Sequence, residues 1–150
     1  MKALIKNIQD RLDTVSDLKY IDEDWGQLDY YSPNFPVQWP CVLIDITNVQ
    51  YSNIGRDKKA KPIQRQQAEA VFSFTVANLK LTNTSAKAPV SQKDNAWSIW
   101  DLIEEIHKKL QGFNPEVYAG KLIRTGCVRV KRDDGVQEYT ITYNCGLNDV

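Results

Sequence analysis

The chain has 150 residues, and its 19 basic and 19 acidic side chains give a formal net charge of zero. This length suffices for a buried core, and the 42% content of hydrophobic residues is typical of a folded protein, so we expect a single domain over residues 1–150. The zero net charge argues against a broad electrostatic grip on nucleic acid or on an anionic membrane. No apolar stretch approaches the ~20 residues of a membrane span, and the N-terminus lacks the apolar core of a signal peptide.

Three cysteines, Cys41, Cys127 and Cys145, lie far apart in the sequence and form no CxxC pair. Neither a disulfide framework nor a zinc site is indicated by this pattern. We expect reduced, half-buried cysteines on strands.

The N-terminal part predicts one helix followed by an acidic stretch. Apolar residues recur on one helical face over residues 2–15, at Leu4, Ile5, Ile8, Leu12 and Val15. Residues 10–29 then carry seven acidic side chains against two basic ones, and three of the acids, Asp22, Glu23 and Asp24, are consecutive. A charge run of this kind is usually a solvated surface, although a partner-facing patch is the alternative. Tyr20 and Ile21 suggest a short strand within it.

The middle of the chain predicts two strands separated by a long polar segment. Three prolines make residues 30–40 an extended loop, and residues 41–50 alternate as a strand. Residues 52–69 form a basic excursion without an evident element, which we expect to be a flexible loop. Its cations are Arg56, Lys58, Lys59, Lys61 and Arg65. Residues 70–76 predict a core strand, with a bulge or twist near Asn78 where the alternation slips.

The clearest helix is predicted over residues 94–112. Asp94 or Asn95 is a suitable N-cap, and Gly112 can adopt the left-handed conformation that closes a helix. Ile99, Ile103, Ile106 and Leu110 recur at the spacing of a buried stripe, which Trp97, Trp100 and Leu102 would widen.

The last part of the chain predicts a hairpin that turns at Asp134 and Gly135. A two-residue turn pairs Lys131 with Glu138, Val130 with Tyr139 and Val128 with Ile141. A three-residue loop would instead place Val130 opposite Glu138, so cross-strand chemistry favours the two-residue turn. The predicted fold is therefore α+β, with a mixed or antiparallel sheet of four to five strands and two helices on one face.

No catalytic, cofactor or metal motif stands out in the sequence. His107 is the only histidine, and its place near a helix C-terminus beside lysines favours a surface position over catalysis. No local pattern around the cysteines suggests an activated thiolate. The consecutive acids Asp22, Glu23 and Asp24 lack the spacing of a calcium loop, and the isolated glycines form no phosphate-binding loop. The aromatic residues of the 30–40 loop suggest packing on the sheet, with a ligand surface as the alternative.

The order of these elements resembles that of the tail-terminator or tail-completion proteins of long-tailed bacteriophages, the minor tail protein U-like family. The matching features span nearly the whole chain: the helix with Leu4, Ile8 and Leu12, the strand entry at residues 39–44, the strand with Phe72, Phe74 and Val76, the helix over residues 97–110, and the hairpin at residues 129–135.

This resemblance implies a non-enzymatic structural protein of a phage or prophage tail, without cofactors. Similar proteins form a ring, commonly of six subunits, at the head-proximal end of the tail, between the tail tube and the head-completion proteins. Such a protein is made in the host cytoplasm and ends in the virion. A head-to-tail ring needs two complementary patches on each subunit. We expect the interface at Arg56, Lys58, Lys59, Lys61 and Arg65 on one side and at Asp22, Glu23 and Asp24 on the other.

Two other functions remain open. A neck or head–tail joining subunit is the alternative among structural proteins, and a small domain that binds a ligand or peptide through the aromatic loop is the alternative from another class. An enzyme based on the cysteines is more remote.

Overall fold

A computed structural model describes residues 1–30, 36–80 and 82–149. Five strands form one sheet in the order β1-β2-β3-β5-β4, in which β1 runs parallel to β2 and every other neighbour is antiparallel. The elements are α1 (Lys2–Leu12), β1 (Tyr20–Glu23), a 3-10 turn (Gln27–Asp29), β2 (Cys41–Arg56), β3 (Gln64–Leu79), α2 (Val90–Leu110), β4 (Ile123–Val130) and β5 (Val136–Asn148). The α+β prediction is confirmed.

The two helices pack on one face of the sheet and enclose the main core. Leu4, Ile8 and Leu12 of α1 are buried, as predicted, and so are the four residues of the predicted α2 stripe. Facing them are alternate residues of the central strands, which include Phe72, Phe74, Val76, Ile141 and Tyr143. The apolar periodicity of each segment is therefore satisfied by a single layer of helices on a sheet.

The boundaries and the width of α2 differ from the prediction. The helix begins at Val90, because the Pro89 carbonyl accepts hydrogen bonds from the Gln92 and Lys93 N–H groups and so starts the first turn before Asp94. Gly112 adopts a positive φ of 74°, as predicted. Trp97 and Trp100 are wrongly placed in the stripe, since both are 47% exposed.

A second, smaller core lies on the opposite face of the sheet. Its buried members are Leu28, Cys41, Leu43, Ala77 and Val136, with Val37, Trp39 and Leu79 packed against it. Of the bulge or twist predicted near Asn78, the bulge is wrong: pairing continues without a shift from Ala77 with Glu138 to Leu79 with Val136. The apolar parity changes there because the two ends of β3 bury opposite faces.

The predicted loop over residues 52–69 is also wrong, because most of it belongs to strands. β2 continues to Arg56 and β3 begins at Gln64, so the two strands form a long antiparallel hairpin with a turn at residues 57–63. We call residues 52–69 the arm. β5 pairs with β3 only as far as Gln67, and the distal arm therefore extends beyond the rest of the sheet.

The C-terminal hairpin adopts the register that cross-strand chemistry disfavoured. Val130 pairs with Glu138, Val128 with Thr140 and Cys127 with Ile141. Arg132 lies outside the ladder and turns toward Asp134, Glu138 and the Leu28 carbonyl. The wider loop thus gives this guanidinium several acceptors, which a two-residue turn would not provide.

The thiols are free, but they are not all half-buried as predicted: Cys41 and Cys145 are buried and Cys127 is exposed. In the predicted 30–40 loop, Val37 and Trp39 pack on the second core. Tyr30 is 56% exposed, and its ring meets that of Trp25 edge-on with the centroids 6.1 Å apart. The other two aromatic residues of the loop, Tyr31 and Phe35, lie outside the described ranges.

Candidate assembly surfaces

The tip of the arm carries a group of exposed cations. Arg56, Lys58, Lys59 and Lys61 are exposed, and within the described part of the chain their side chains have no hydrogen-bond or ion-pair partner. The turn beneath them is ordered by its own backbone: the Asp57 N–H donates to the Ile63 carbonyl at 2.8 Å, and the Asp57 carboxylate accepts from the Lys59 N–H at 2.9 Å. The tip therefore presents unpaired positive charge on a defined turn.

Arg65, the fifth predicted interface cation, is engaged within the chain. Its guanidinium lies 3.1 Å from an Asp57 carboxylate oxygen and forms a second ion pair with Asp149. These contacts tie the arm to the end of β5. Arg65 thus anchors the arm close to its tip, whereas the other four cations have no partner among the described residues.

The three predicted interface acids lie on and just after β1, at an edge of the sheet. Both carboxylate oxygens of Asp22 are occupied, one by the Tyr20 hydroxyl at 2.8 Å and the other by the Glu23 N–H at 2.8 Å. Asp24 accepts from the Gly26 N–H at 3.0 Å. Of these three acids, only Glu23 has a carboxylate that finds no partner among the described residues.

Within one subunit, the acids on and just after β1 lie far from the basic tip of the arm. Glu23 pairs with Ile44 of β2, and Arg56 lies twelve positions further along that strand. At about 3.3 Å per residue this separation is about 40 Å. The structure therefore does not bring the two predicted patches together within one chain.

The outer face of α2 carries a second acidic surface, which the sequence analysis did not single out. Asp94, Trp97, Asp101 and Glu104 share this face by their helical spacing, and all four are exposed. Glu104 pairs with Lys108 at 3.3 Å, whereas Asp94 and Asp101 have no partner within the described residues. The i, i+3, i+7 spacing of Asp94, Trp97 and Asp101 indicates that they share one helical face, but a tryptophan at this spacing also suggests a core position.

A shallow groove separates α2 from β4, and it contains the only histidine. His107 Nδ1 lies 2.9 Å from the Tyr143 hydroxyl, and Arg124 and Cys127 line the same groove. Burial and the charge of Arg124 lower the pKa of His107, which favours the neutral form of the ring. Burial raises the pKa of the Cys41 thiol to about 12 and that of Cys145 above its usual range. These two thiols are therefore not activated nucleophiles.

The described ranges contain neither a cluster of metal ligands nor a membrane-spanning helix. No group of three or more His, Cys, Asp or Glu side chains there is arranged to hold a metal ion. Among the same residues, neither helix has the length and apolar character needed to span a bilayer.

Comparison with known proteins gives a likeness in fold. No protein-family model matches the chain, and no curated protein matches its sequence. A chain from the virion of a native gene transfer agent particle matches in structure with a TM-score of 0.54, at 11% identity. The alignment covers 98% of this chain and 96% of that chain. The two chains therefore share a fold over nearly their whole lengths.

Proposed function

We propose that this protein is a non-enzymatic structural subunit of a phage or prophage tail, and specifically a tail-terminator subunit. It forms a ring, of six copies by analogy with the family it resembles, at the head-proximal end of the tail. Its partners are further copies of itself, the tail tube and the head-completion proteins. It assembles in the host cytoplasm and remains in the virion.

The observation that carries this proposal is the likeness to a virion chain along almost the full length of both proteins. A match that covers only a common substructure would leave a large part of one chain unmatched. The element order that first suggested the tail-terminator family is an independent support, because it was read from the sequence. Both point toward an assembly protein.

The surface chemistry suits assembly. The arm extends beyond the sheet and ends in four unpaired cations, and unpaired acids lie elsewhere on the same subunit. Complementary charged patches on different parts of one subunit favour heterologous contacts, which close into rings when the rotation between copies permits. No cofactor or metal is needed for this role.

The likeness to a virion chain also fits the alternative of a neck or head–tail joining subunit, so the test must separate the two. The ligand-binding alternative is less favoured, because Val37 and Trp39 of the aromatic loop pack on the second core.

The proposal is tested by multi-angle light scattering of the purified protein over a range of concentrations, with and without isolated tail tubes, and by electron microscopy of any large species. A closed ring that binds the end of a tail tube is the expected result. A ring that binds heads and ignores tubes would favour the neck subunit. A protein that stays monomeric and binds neither would contradict both structural functions.

A further inference from the structure

We propose that the tip of the arm of one copy docks on the outer face of α2 of a second copy. This inference rests on the proposed ring, and it names the contact from which the ring is built. It replaces Asp22, Glu23 and Asp24 with α2 as the surface that receives the cations.

The donor surface combines charge with apolar area. Beside its four cations, which are unpaired among the described residues, the arm exposes Ile54 and Ile63 near its tip by 52% and 45%. Tyr51, which directly precedes the arm, is 52% exposed. The described part of the chain therefore leaves about half of each of these apolar residues in solvent. A partner surface with both carboxylates and apolar rings would complement them.

The outer face of α2 has this composition. Asp94 and Asp101 flank Trp97, and their carboxylates are unpaired within the described residues. Trp100, on the flank of the same face, packs against Tyr139 with the ring centroids 4.5 Å apart and the ring planes inclined at 55°, and 47% of its surface remains exposed. Lysine and arginine also interact favourably with the face of a tryptophan ring. Two unpaired acids and two exposed rings therefore face solvent on one side of a rigid helix.

The two surfaces lie at opposite ends of one subunit. The N-terminal half of α2 is fixed beside the start of β5, because the Gln137 side chain donates to the Ala96 carbonyl at 2.9 Å. Asn148, at the other end of β5, pairs with Gln67 at the base of the arm. These eleven positions span about 36 Å at about 3.3 Å per residue. An arm therefore cannot reach its own Asp94 and Asp101, and the complementary contact is available only between copies.

The acids on β1 are poorer acceptors. Asp22 and Asp24 already accept hydrogen bonds from the hydroxyl and backbone groups of their own loop. Drawing them into an intermolecular ion pair would compete with those bonds. Asp94 and Asp101 lose no protein partner when a lysine approaches.

Charge reversal provides the test. The arm variant is Lys58→Glu, Lys59→Glu and Lys61→Glu, and the helix variant is Asp94→Lys and Asp101→Lys. Each alone should raise the concentration for half-assembly more than about tenfold, because like charges then face each other across the contact. A chain that carries all five substitutions, or an equimolar mixture of the two variants, should recover assembly. Trp97→Ala, which changes no charge, should also weaken it.

Matched controls separate this contact from a general effect of charge. Lys2→Glu, Lys19→Glu and Lys87→Glu change the net charge as much as the arm variant, at exposed lysines outside the arm. Asp17→Lys and Glu23→Lys match the helix variant, and they lie in the acidic segment that the sequence first suggested. Both controls should assemble normally. The thermal midpoint of every variant is measured first, so that a loss of folding is not scored as a loss of contact.

The outcomes distinguish the contact from the ring itself. Rings that form undiminished from the arm or helix variants would overturn the docking and leave the proposed function standing. Loss of assembly in the Asp17 and Glu23 variant, with normal assembly of the helix variant, would overturn α2 as the acceptor. A wild-type chain that never assembles, even with tail tubes, would overturn the proposed function and this contact together.

Discussion

Arg132 Nη1 donates to Glu138 Oε2 at 2.9 Å, and the two side chains keep only 14% and 12% of their surface exposed. The same guanidinium lies 2.7 Å from Asp134 and donates to the Leu28 carbonyl. It therefore fastens the C-terminal hairpin to the 3-10 turn that covers the second core.

We expect Arg132→Ala to lower the free energy of unfolding by about 3 kcal/mol, because it leaves the carboxylate of Glu138 nearly buried without its cation. Urea denaturation followed by circular dichroism measures this change. Lys131→Ala, at the exposed neighbouring position, is the control and should change stability by less than about 0.5 kcal/mol. Equal stability of the two variants would show that the Arg132 cluster does not hold the hairpin.

The pKa of His107 predicts a dependence of stability on pH. Burial first, and then the charge of Arg124, lower this pKa below its usual 6.5. The unfolded chain therefore binds the proton at a higher pH than the folded chain does. The stability contributed by the neutral ring is present above pH 6.5 and is lost as the pH falls through 6.5 toward the folded-state pKa.

Because the chain has a single histidine, its titration is directly visible by NMR, and its pKa should lie below 6.5. The thermal midpoint should decrease as the pH is lowered from about 8 to about 5. His107→Gln should flatten that fall, whereas the surface control Lys87→Gln should retain it. A measured pKa above 6.5 would contradict the arrangement at the groove.

Ile106 and Trp97 lie on opposite sides of α2, and truncating each to alanine should have very different effects. Ile106 is fully buried in the main core, so Ile106→Ala should cost about 3 kcal/mol of stability. Trp97→Ala should cost less than about 1 kcal/mol, because half of the ring is in solvent. Chemical denaturation of both variants provides the comparison. A larger loss of stability for Trp97→Ala than for Ile106→Ala would show that Trp97 is a core residue.

The three thiols should differ in reactivity. Cys127 is exposed, whereas Cys41 and Cys145 are buried, and burial raises the pKa of Cys41 to about 12. In a thiol titration with a disulfide reagent, we expect one rapid equivalent from the native protein and three after denaturation. Cys127→Ser should remove the rapid equivalent. Rapid reaction of a second thiol would mean that the sheet opens at Cys41 or Cys145.

Most elements of the fold could be predicted from the sequence, since each element contains its own periodic signal. The buried faces of both helices and of β3 follow the expected spacing, and the short strand at Tyr20 was recognised from two residues. The strands of the arm are not evident in the sequence, because apart from Ala68 and the half-buried Arg65 their residues are exposed, so they show no apolar alternation and resemble a polar loop. These strands are formed by backbone pairing between β2 and β3, and amino-acid composition does not reveal such pairing.

The candidate surfaces were predictable in part. Four of the five predicted interface cations have no partner among the described residues, whereas Arg65 is paired within the chain and Asp22 and Asp24 accept hydrogen bonds in their own segment. The place of these residues at a subunit interface stays a prediction. Which charges are free depends on neighbours that are distant in sequence, such as Asp149 for Arg65. The acidic surface of α2 is hidden in the sequence, because Trp97, which lies between Asp94 and Asp101, suggests a buried apolar face.

The α+β class, the helices and their buried stripes can be predicted from the amino-acid pattern, because helical and strand periodicities are local properties of the chain. The hairpin register, the length of the arm and the set of unpaired charges are defined only in the folded chain. Those features depend on which distant groups meet: Arg132 finds Glu138 and the Leu28 carbonyl, and these contacts favour a register that pairwise cross-strand chemistry disfavours. Long-range partners of this kind leave no periodic trace in the sequence.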